Sequence, residues 1–491
     1  MTAENFFLPS FCFLAFMLAY NVLQRNLLFQ HPRQCSAITL AIDFTPIILA
    51  SAAEKRKRRR SQRTRPAPLD GERKVTVKKR ASYRWIIVLA GIAGLFASLG
   101  LGRFSLGMML PAMGEALALS YGQMGLISTI NFCGYLLAVL LCGALTERFG
   151  ARLLISAALA LVALSMVLVG LSSHFLLLLP LYFLTGVGSA LSNVPIMALM
   201  SVWFDGRSRG RAAGLCVMGN GLGILVTGKG VPLLNEMAAG WRVSWIVLGC
   251  IAGGIALLSF MLFRNRPEEP GESTAAPAAT GAASPAEKRG QGRSGQPVAG
   301  KNIFYHCGAI YFLFGCTYVI YVTFFVTALV QERGLTEQAA GSLWAWVGLL
   351  SLASGPLFGS LSDRYGRKAT LAAVFLIQTT AYLLAAARLP MFSVYISLAC
   401  FGLVVWSIPP IMAALVGDHA GPERTAALFG FVTFLFGIGQ IIGPACAGFL
   451  AEQSGTFSSS FLLAAVLAGT GMGLSLLLPG KRPPAAEDGR G

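Results

Sequence analysis

Two cations stand inside stretches of sequence that are otherwise apolar. Arg103 lies in the run 84–111 and Lys229 in the run 212–235. An ionisable side chain at membrane depth is costly, so it tends to face a partner, a water-filled cavity or a ligand. The carboxylates do not supply the partner. From Arg84 onward, Glu115, Glu147, Asp205, Glu236, Glu332, Glu337, Asp363, Asp418, Glu423 and Glu452 fall in expected loops or at the ends of apolar runs, and the remaining acids fall in segment 264–300 or the tail. Positive charge without a buried acid suits an anion. Arginine offers a fork of donors to a carboxylate and lysine a point charge. The same pattern suits a cationic solute badly and lacks the usual carboxylate for proton coupling. The competing reading is that both side chains reach out to the interface, because both lie in the outer parts of their runs.

Neutral polar residues could complete such a site. Asn131 and Tyr135 are four apart and share one helix face. Tyr318 recurs with Tyr311 and Tyr321 along one run, and Asn220 and Trp406 are further candidates. Asn193, Gln378 and Gln440 are weaker ones, and His306 opens the seventh run. Side chains of these types also serve as interhelical hydrogen bonds or interface anchors. The candidate binding set is therefore Arg103, Asn131, Tyr135, Asn220, Lys229, Tyr318 and Trp406. The ten cysteines are scattered singly, with no CxxC pair or Cys/His cluster, so neither a metal site nor a disulfide framework is expected. No phosphate-binding loop and no nucleophile–base spacing is visible, so no enzyme and no cofactor is expected.

The elements that must hold these residues are membrane helices. The 491 residues are 55% apolar and 12% charged, against about 25% charged in soluble domains. A span of the bilayer needs roughly 20 apolar residues. Twelve runs qualify: 84–111, 123–143, 153–171, 175–202, 212–235 and 241–263, then 303–330, 337–358, 369–387, 391–416, 425–450 and 457–478. Gly443-Pro444 and Pro409-Pro410 are expected kinks. Arg148, Arg152, Arg207, Arg209, Arg211, Arg364, Arg367, Lys368 and Arg424 follow even-numbered runs, against Arg242, Arg333 and Arg388 on the other face. That asymmetry puts both ends of the bundle in the cytoplasm.

The net charge of +18 is read as basic loops and tails on a membrane protein, not as a nucleic-acid surface. Residues 264–300 are rich in Pro, Ala, Gly and Ser and are expected to be a disordered cytoplasmic linker. Residues 1–80 form an N-terminal extension, expected to be disordered or not native. Its apolar stretches Phe6–Leu23 and Ala37–Ala53 are interrupted by Pro9, Asp43 and Pro46, and Lys55–Arg65 reads as a solvated basic tail near anionic lipid. The physiological start is expected near Val75 or Val77, from a non-AUG codon. The expected division is thus 81–263 for a first six-helix half, 301–480 for a second, and 481–491 for a cytoplasmic tail.

One segment occurs twice. Gly143-Ala-Leu-Thr-Glu147-Arg148-Phe-Gly150-Ala-Arg152 returns as Gly359-Ser-Leu-Ser-Asp363-Arg364-Tyr-Gly366-Arg367-Lys368, at an offset of 216 residues (359 − 143). Asp205 with Arg211 returns as Asp418 with Arg424. Gly143 and Gly359 would let helices approach closely, and Gly150 and Gly366 would allow the tight turn between helices. The pattern resembles the signature loop of the major facilitator superfamily over about residues 84–480. The second copy matches fully. The first departs at Glu147 and Ala151. The resemblance implies an all-α membrane protein of twelve transmembrane helices in two pseudo-symmetric six-helix halves, with alternating access by rocking. It also implies that the loops latch the cytoplasmic side, with Glu147 facing Arg424 and Asp363 facing Arg211. Many relatives carry an arginine in the fourth run, where this chain has Tyr182, and the glycine–proline pattern of proton-coupled drug exporters is missing from the fifth. Gly102-Arg103-Phe104 to Leu110-Pro111, followed by Ser120 to Gly125, is similar to the YbfB-type branch.

These observations lead to a secondary transporter of a small solute, most simply a small organic anion. It is expected to act as a monomer in the bacterial inner membrane, with or without a coupling ion. Two other readings stay open: an exporter of drugs or lipophilic metabolites, and a transport-inactive sensor or scaffold on the same fold.

Overall fold

A computed structural model of the chain describes residues 70–204, 206–236, 240–266, 302–387, 389–420 and 424–479. The expectations for residues 1–69, for most of the 264–300 segment and for the tail lie outside these residues. Every regular element among the described residues is helical, and twelve helical stretches are long and apolar enough to cross a membrane.

The first half holds α1 (Asp70–Leu95) and α2 (Leu106–Leu117), which together form span 1. It continues with α3 (Tyr121–Phe149), α4 (Ala151–Leu171), α5 (Phe175–Trp203), α6 (Gly206–Asn235) and α7 (Trp241–Leu262). The second half holds α8 (Asn302–Gln331), α9 (Glu337–Tyr365) and α10 (Arg367–Ala386). Then come α11 (Phe392–Val404) and α12 (Ile408–Ala420), which share span 10, followed by α13 (Thr425–Ser454) and α14 (Ser458–Leu476). α1 starts at Asp70, well ahead of the boundary expected at Arg84. Span 10 breaks at 405–407, just before Pro409-Pro410, whereas α13 runs through Pro444 without interruption.

Local signals fix the ends. Ser120 caps α3 in a box with Gln123, and the Thr336 hydroxyl accepts from the Ala339 N–H at the start of α9. Gly150 and Gly366, one from each copy of the repeated loop, have φ of 78° and 91°. Only glycine adopts that backbone without strain, so the turn between α3 and α4 and that between α9 and α10 are built alike.

Within each half the helices pack as a bundle. Between halves, contact runs along α3 with α13, α6 with α9, and α2 with α8. These seams are tight at the end away from the repeated loops. There a Cβ on Gly125 would lie 2.5 Å from the Pro444 carbonyl oxygen, and one on Gly228 2.6 Å from that of Gly341. Such backbone approach is how membrane helices associate without a hydrophobic drive. Polar links add to it: the Ser120 hydroxyl and Gly122 N–H donate to Glu452 at 3.1 and 2.9 Å, and Asn235 donates to Glu337 at 2.8 Å. The end carrying the repeated loops is different. A Cβ on Gly143, Gly359, Gly214 or Gly430 would meet nothing within 4 Å. The bundle is therefore sealed at the far end and parted at the loop end. The expectation that Gly143 and Gly359 mark close helix approach is corrected, because the parted halves leave open space around both.

Candidate functional site

Span 1 is broken where its cation sits. Residues Phe96–Leu101 form a π-turn, and Gly102 to Ser105 continue as an irregular turn before α2 begins. The Gly102 N–H donates to Ala97 at 3.0 Å and the Phe104 N–H to Leu99 at 2.9 Å, both five residues back. That widened pattern is typical of π-turns at functional positions. Close approach to α6 holds the break in place. A Cβ on Gly100 would lie 2.8 Å from the Gly223 Cα, so any larger residue forces the helices apart. The carbonyls freed by the break find a donor in Tyr182 on α5, whose hydroxyl lies 3.1 Å from both the Gly102 and Arg103 oxygens.

Arg103 projects from this break into the bundle and is 7% exposed. Its Nε donates to Asn131 Oδ1 at 3.0 Å, and the Asn131 amide donates in turn to the Tyr182 carbonyl at 2.9 Å. Asn131 lies ten residues into α3, roughly 15 Å from its start. Arg103 is thus held at mid-depth and does not reach for the outer interface. Its Cζ sits 4.6 Å from the Phe132 ring centre and 4.2 Å from that of Tyr135. Cation–π contact of this kind stabilises a desolvated guanidinium by about 2 kcal/mol. One terminal nitrogen, Nη2, is buried with no protein acceptor.

The surrounding groups offer donors and no charge of opposite sign. Tyr135 accepts from Asn193 Nδ2 at 2.8 Å, and Tyr318 accepts from Gln440 Nε2, which leaves each phenol proton to give. Trp406 packs on Phe104 and Tyr318 at 5.2 and 6.1 Å between ring centres, and its buried Nε1–H has no acceptor. The pocket beside Arg103 is lined by Ser128, Asn131, Tyr182, Tyr318 and Thr323 among others, and by no carboxylate. Its free volume of about 10 Å³ takes roughly one water, so a carboxylate enters only as the lining rings shift. Ser128 on α3 and Thr323 on α8 meet at 3.0 Å, and Thr129 donates to the Ile441 carbonyl at 3.2 Å. These cross-half bonds place the pocket on the seam between the two halves.

The structure thus gathers Arg103, Asn131, Tyr135, Tyr318 and Trp406 from four different spans. It does not gather the other two candidates. Lys229 is exposed near the far end of α6 and donates to Ser342 on α9 at 2.7 Å, so its pairing with Arg103 in one site is corrected. Asn220 is buried on α6 with its Oδ1 unpartnered, and among the described residues it makes no hydrogen bond to the cluster. Tyr311 stacks on Phe436, Tyr321 donates to or accepts from Ser397 at 2.9 Å, and His306 meets the Leu474 carbonyl at 2.7 Å. Sequence reasoning noted Tyr182 only as a missing arginine and passed over Phe132. The available signal was that a tyrosine hydroxyl in an apolar helix must find a partner.

The repeated loops are wired within their own halves. Arg367 pairs with Asp363 at 2.5 Å and reaches Asp418 at 3.3 Å. Neither expected link, from Glu147 to Arg424 or from Asp363 to Arg211, is among these pairs. The parted loop end accounts for this, because both links would have to cross between the halves. Arg152 donates through Nε to the Phe260 carbonyl at 2.7 Å, and its N–H to Asn265 at 2.8 Å. Arg148 and Arg364 lie over their neighbours Phe149 and Tyr365, at 5.3 and 5.5 Å from the ring centres.

Comparison with known proteins bears on this geometry. A family described as "uncharacterised MFS-type transporter YbfB" matches residues 95–476. A hexuronate transporter of Bacillus subtilis is 28% identical over 78% of this chain and 91% of its own length. A probable sulfoacetate transporter of Cupriavidus necator is 25% identical over 77% of this chain and 89% of its own. Human monocarboxylate transporter 11 is 27% identical over 82% and 84%. Among solved structures, a bacterial homologue of the human lysosomal transporter Spinster, inward-facing and unoccupied, superposes with a TM-score of 0.63 over 80% of this chain and 96% of its own, at 15% identity. The likeness extends to the fold alone.

Proposed function

The chain belongs to the YbfB-type family of major facilitator transporters, and from that premise we propose that it carries small organic monoanions, monocarboxylates first, on Arg103. One observation carries the reading. The mid-depth cluster holds a buried guanidinium nitrogen without a protein acceptor, beside the Tyr135 and Tyr318 hydroxyls and the Trp406 N–H. A site whose unfilled groups are all donors, with one fixed positive charge, complements a carboxylate. A lipophilic cation would meet like charge there. A dianion would bring one negative charge more than the site can balance. Relatives named for hexuronate and monocarboxylates support the class, and the one named for sulfoacetate, a dianion, supports only organic anions in general.

Transport follows from the seams. Far-end contacts between α3 and α13 and between α6 and α9 would open as the loop end closes, exposing Arg103 to the other side. On the charge asymmetry of the loops, the loop end faces the cytoplasm of a bacterial inner membrane. Thermal-shift measurement on the purified full chain tests the reading, with D-glucuronate, L-lactate, sulfoacetate and tetraphenylphosphonium as probes. The two monocarboxylates should stabilise it most. Stabilisation by the cation alone, or by sulfoacetate far above the others, would refute the proposal.

A further inference from the structure

We propose that the anion on Arg103 is a flat aromatic monocarboxylate, of the benzoate or phenylacetate kind. The inference rests on the functional reading above and narrows its substrate class. Around the site the unfilled donors are Arg103 Nη2, the Trp406 Nε1–H and the phenol protons of Tyr135 and Tyr318. A carboxylate has about four lone-pair sites on its two oxygens, enough to take all of them. The acceptors of the pocket already hold donors of the protein. Asn131 Oδ1 takes the Arg103 Nε–H, the Gly102 and Arg103 carbonyls take the Tyr182 hydroxyl, and Ser128 and Thr323 bond each other at 3.0 Å. A hydroxyl on the rest of the substrate would bring a proton with no free acceptor, and an unmet buried hydroxyl is costly.

What remains of the lining is apolar and aromatic. Phe104, Leu106, Phe132, Val319 and Val322 complete the pocket. Trp406 lies against Phe104 and Tyr318 at 5.2 and 6.1 Å between ring centres. Phe436 stacks on Tyr318 at 5.9 Å, with planes 8° apart. Tyr135, Trp406 and Phe436 are only half-buried, so part of each ring stays accessible. The free volume beside Arg103 is about 10 Å³, so a ligand enters by parting ring faces. A planar ring needs the smallest parting, roughly 3.5 Å of thickness, and gains offset stacking on the rings it separates. A sugar ring is thicker and carries hydroxyls around its rim. At 28% identity, the relative named for hexuronate leaves the part of the substrate beyond the carboxylate open.

Titration calorimetry on the full chain in lipid nanodiscs tests this, with Arg103→Gln nanodiscs as the blank for partition into lipid. The probes are phenylacetate, cyclohexylacetate, L-lactate, D-glucuronate and the uncharged phenylacetamide. Phenylacetate should bind at least about 30-fold more tightly than D-glucuronate and about tenfold more tightly than L-lactate. It should exceed cyclohexylacetate by about 3- to 10-fold, the stacking contribution, and phenylacetamide by about 30-fold, the charge contribution. L-lactate, D-glucuronate or cyclohexylacetate binding as tightly as phenylacetate would overturn the aromatic preference and leave the anion site standing. Phenylacetamide binding as tightly as phenylacetate, or binding by none of the four acids, would refute the functional reading and this inference with it. Phe104→Leu removes a ring but no donor. The ratio of phenylacetate to L-lactate affinity should fall about 3- to 10-fold in that variant. An unchanged ratio would overturn the proposal, because a merely structural Phe104 would weaken both anions alike.

Discussion

Replacing Arg103 by glutamine separates a binding cation from a structural one. Arg103 presents a buried nitrogen without an acceptor and is itself held by one hydrogen bond and two ring faces. Removing one partner of a buried charged hydrogen bond costs about 2–5 kcal/mol. The lower part of that range, about 2–3.5 kcal/mol, is taken for Arg103 because its Asn131 bond and two ring faces already satisfy part of the guanidinium. The dissociation constant of a monocarboxylate should then rise about 30- to 300-fold. Lysine keeps the charge but loses the Nε bond to Asn131 and the flat stacking between Phe132 and Tyr135. An intermediate loss of about 5- to 30-fold is expected for it, corresponding to about 1–2 kcal/mol.

The same substitution makes an opposing forecast for stability. Glutamine forfeits the cation–π contacts, about 2 kcal/mol, and a hydrogen bond of about 1.5 kcal/mol. It also removes a buried charge with no counter-ion, which destabilises by several kcal/mol. The melting temperature without anion should be unchanged or higher. With anion present at 100 times the wild-type dissociation constant, wild type gains about 2.7 kcal/mol, while a variant weakened 100-fold gains only about 0.4 kcal/mol. Thermal shift with and without L-lactate or D-glucuronate, backed by equilibrium binding, reads both quantities. Wild-type affinity in the Gln variant would refute the assignment. A steep fall in its anion-free melting temperature would show that Arg103 is structural.

Three further outcomes follow from the same contacts. Tyr182→Phe leaves the Gly102 carbonyl without its donor and the Arg103 carbonyl with only the Leu106 N–H, so it should destabilise by about 1–3 kcal/mol and weaken anion binding about tenfold, read by thermal shift and binding; an unaltered protein would show that the break in span 1 holds itself. Lys229→Gln should change carboxylate affinity less than about twofold, because Lys229 is exposed and bonded to Ser342; a loss as large as that of the Arg103 variant would put it back in the site. Asp363→Asn should slow liposome transport more than Glu147→Gln at unchanged melting temperature, since Asp363 is ion-paired to Arg367 and exposed, and equal or reversed effects would count against unequal loops.

The twelve spans were legible because the bilayer sets a length that few other structures demand, and apolar runs of that length leave little choice. Arg103 was legible for the converse reason, as a charge where charge is costly. Its setting was not. The π-turn at Phe96–Leu101 arises from Gly100 meeting Gly223 across two helices, a contact between residues 123 positions apart (223 − 100) with no local signature. Lys229 carried the same sequence signal as Arg103 and lies elsewhere. Six residues from the end of α6, it can reach the surface with its flexible stem, whereas Arg103 is pinned by Asn131 and two rings. The latch contacts expected from the resemblance are not made, and this structure has the loop end parted.

The repeated loop shows how a duplicated scaffold carries unequal wiring. Both copies keep the glycine that must take positive φ, Gly150 and Gly366, so the backbone turn is the same. In the second copy Arg367 follows that glycine and ties Asp363 to Asp418, joining the loop to the end of α12. The first copy has Ala151 at that place, and an alanine can tie nothing. Its neighbour Arg152 turns instead to the Phe260 carbonyl near the end of α7, stacks on the Phe260 ring at 4.5 Å, and gives its N–H to Asn265. Cationic side chains favour the carbonyl end of a helix, so this contact is stable without an acid. The first loop is thereby fastened to the last helix of its own half, and the second to the helix that precedes α13. In the proposed rocking, the two copies start from different attachments. An asymmetric response to their acids is the expected consequence, even though the sequence repeats.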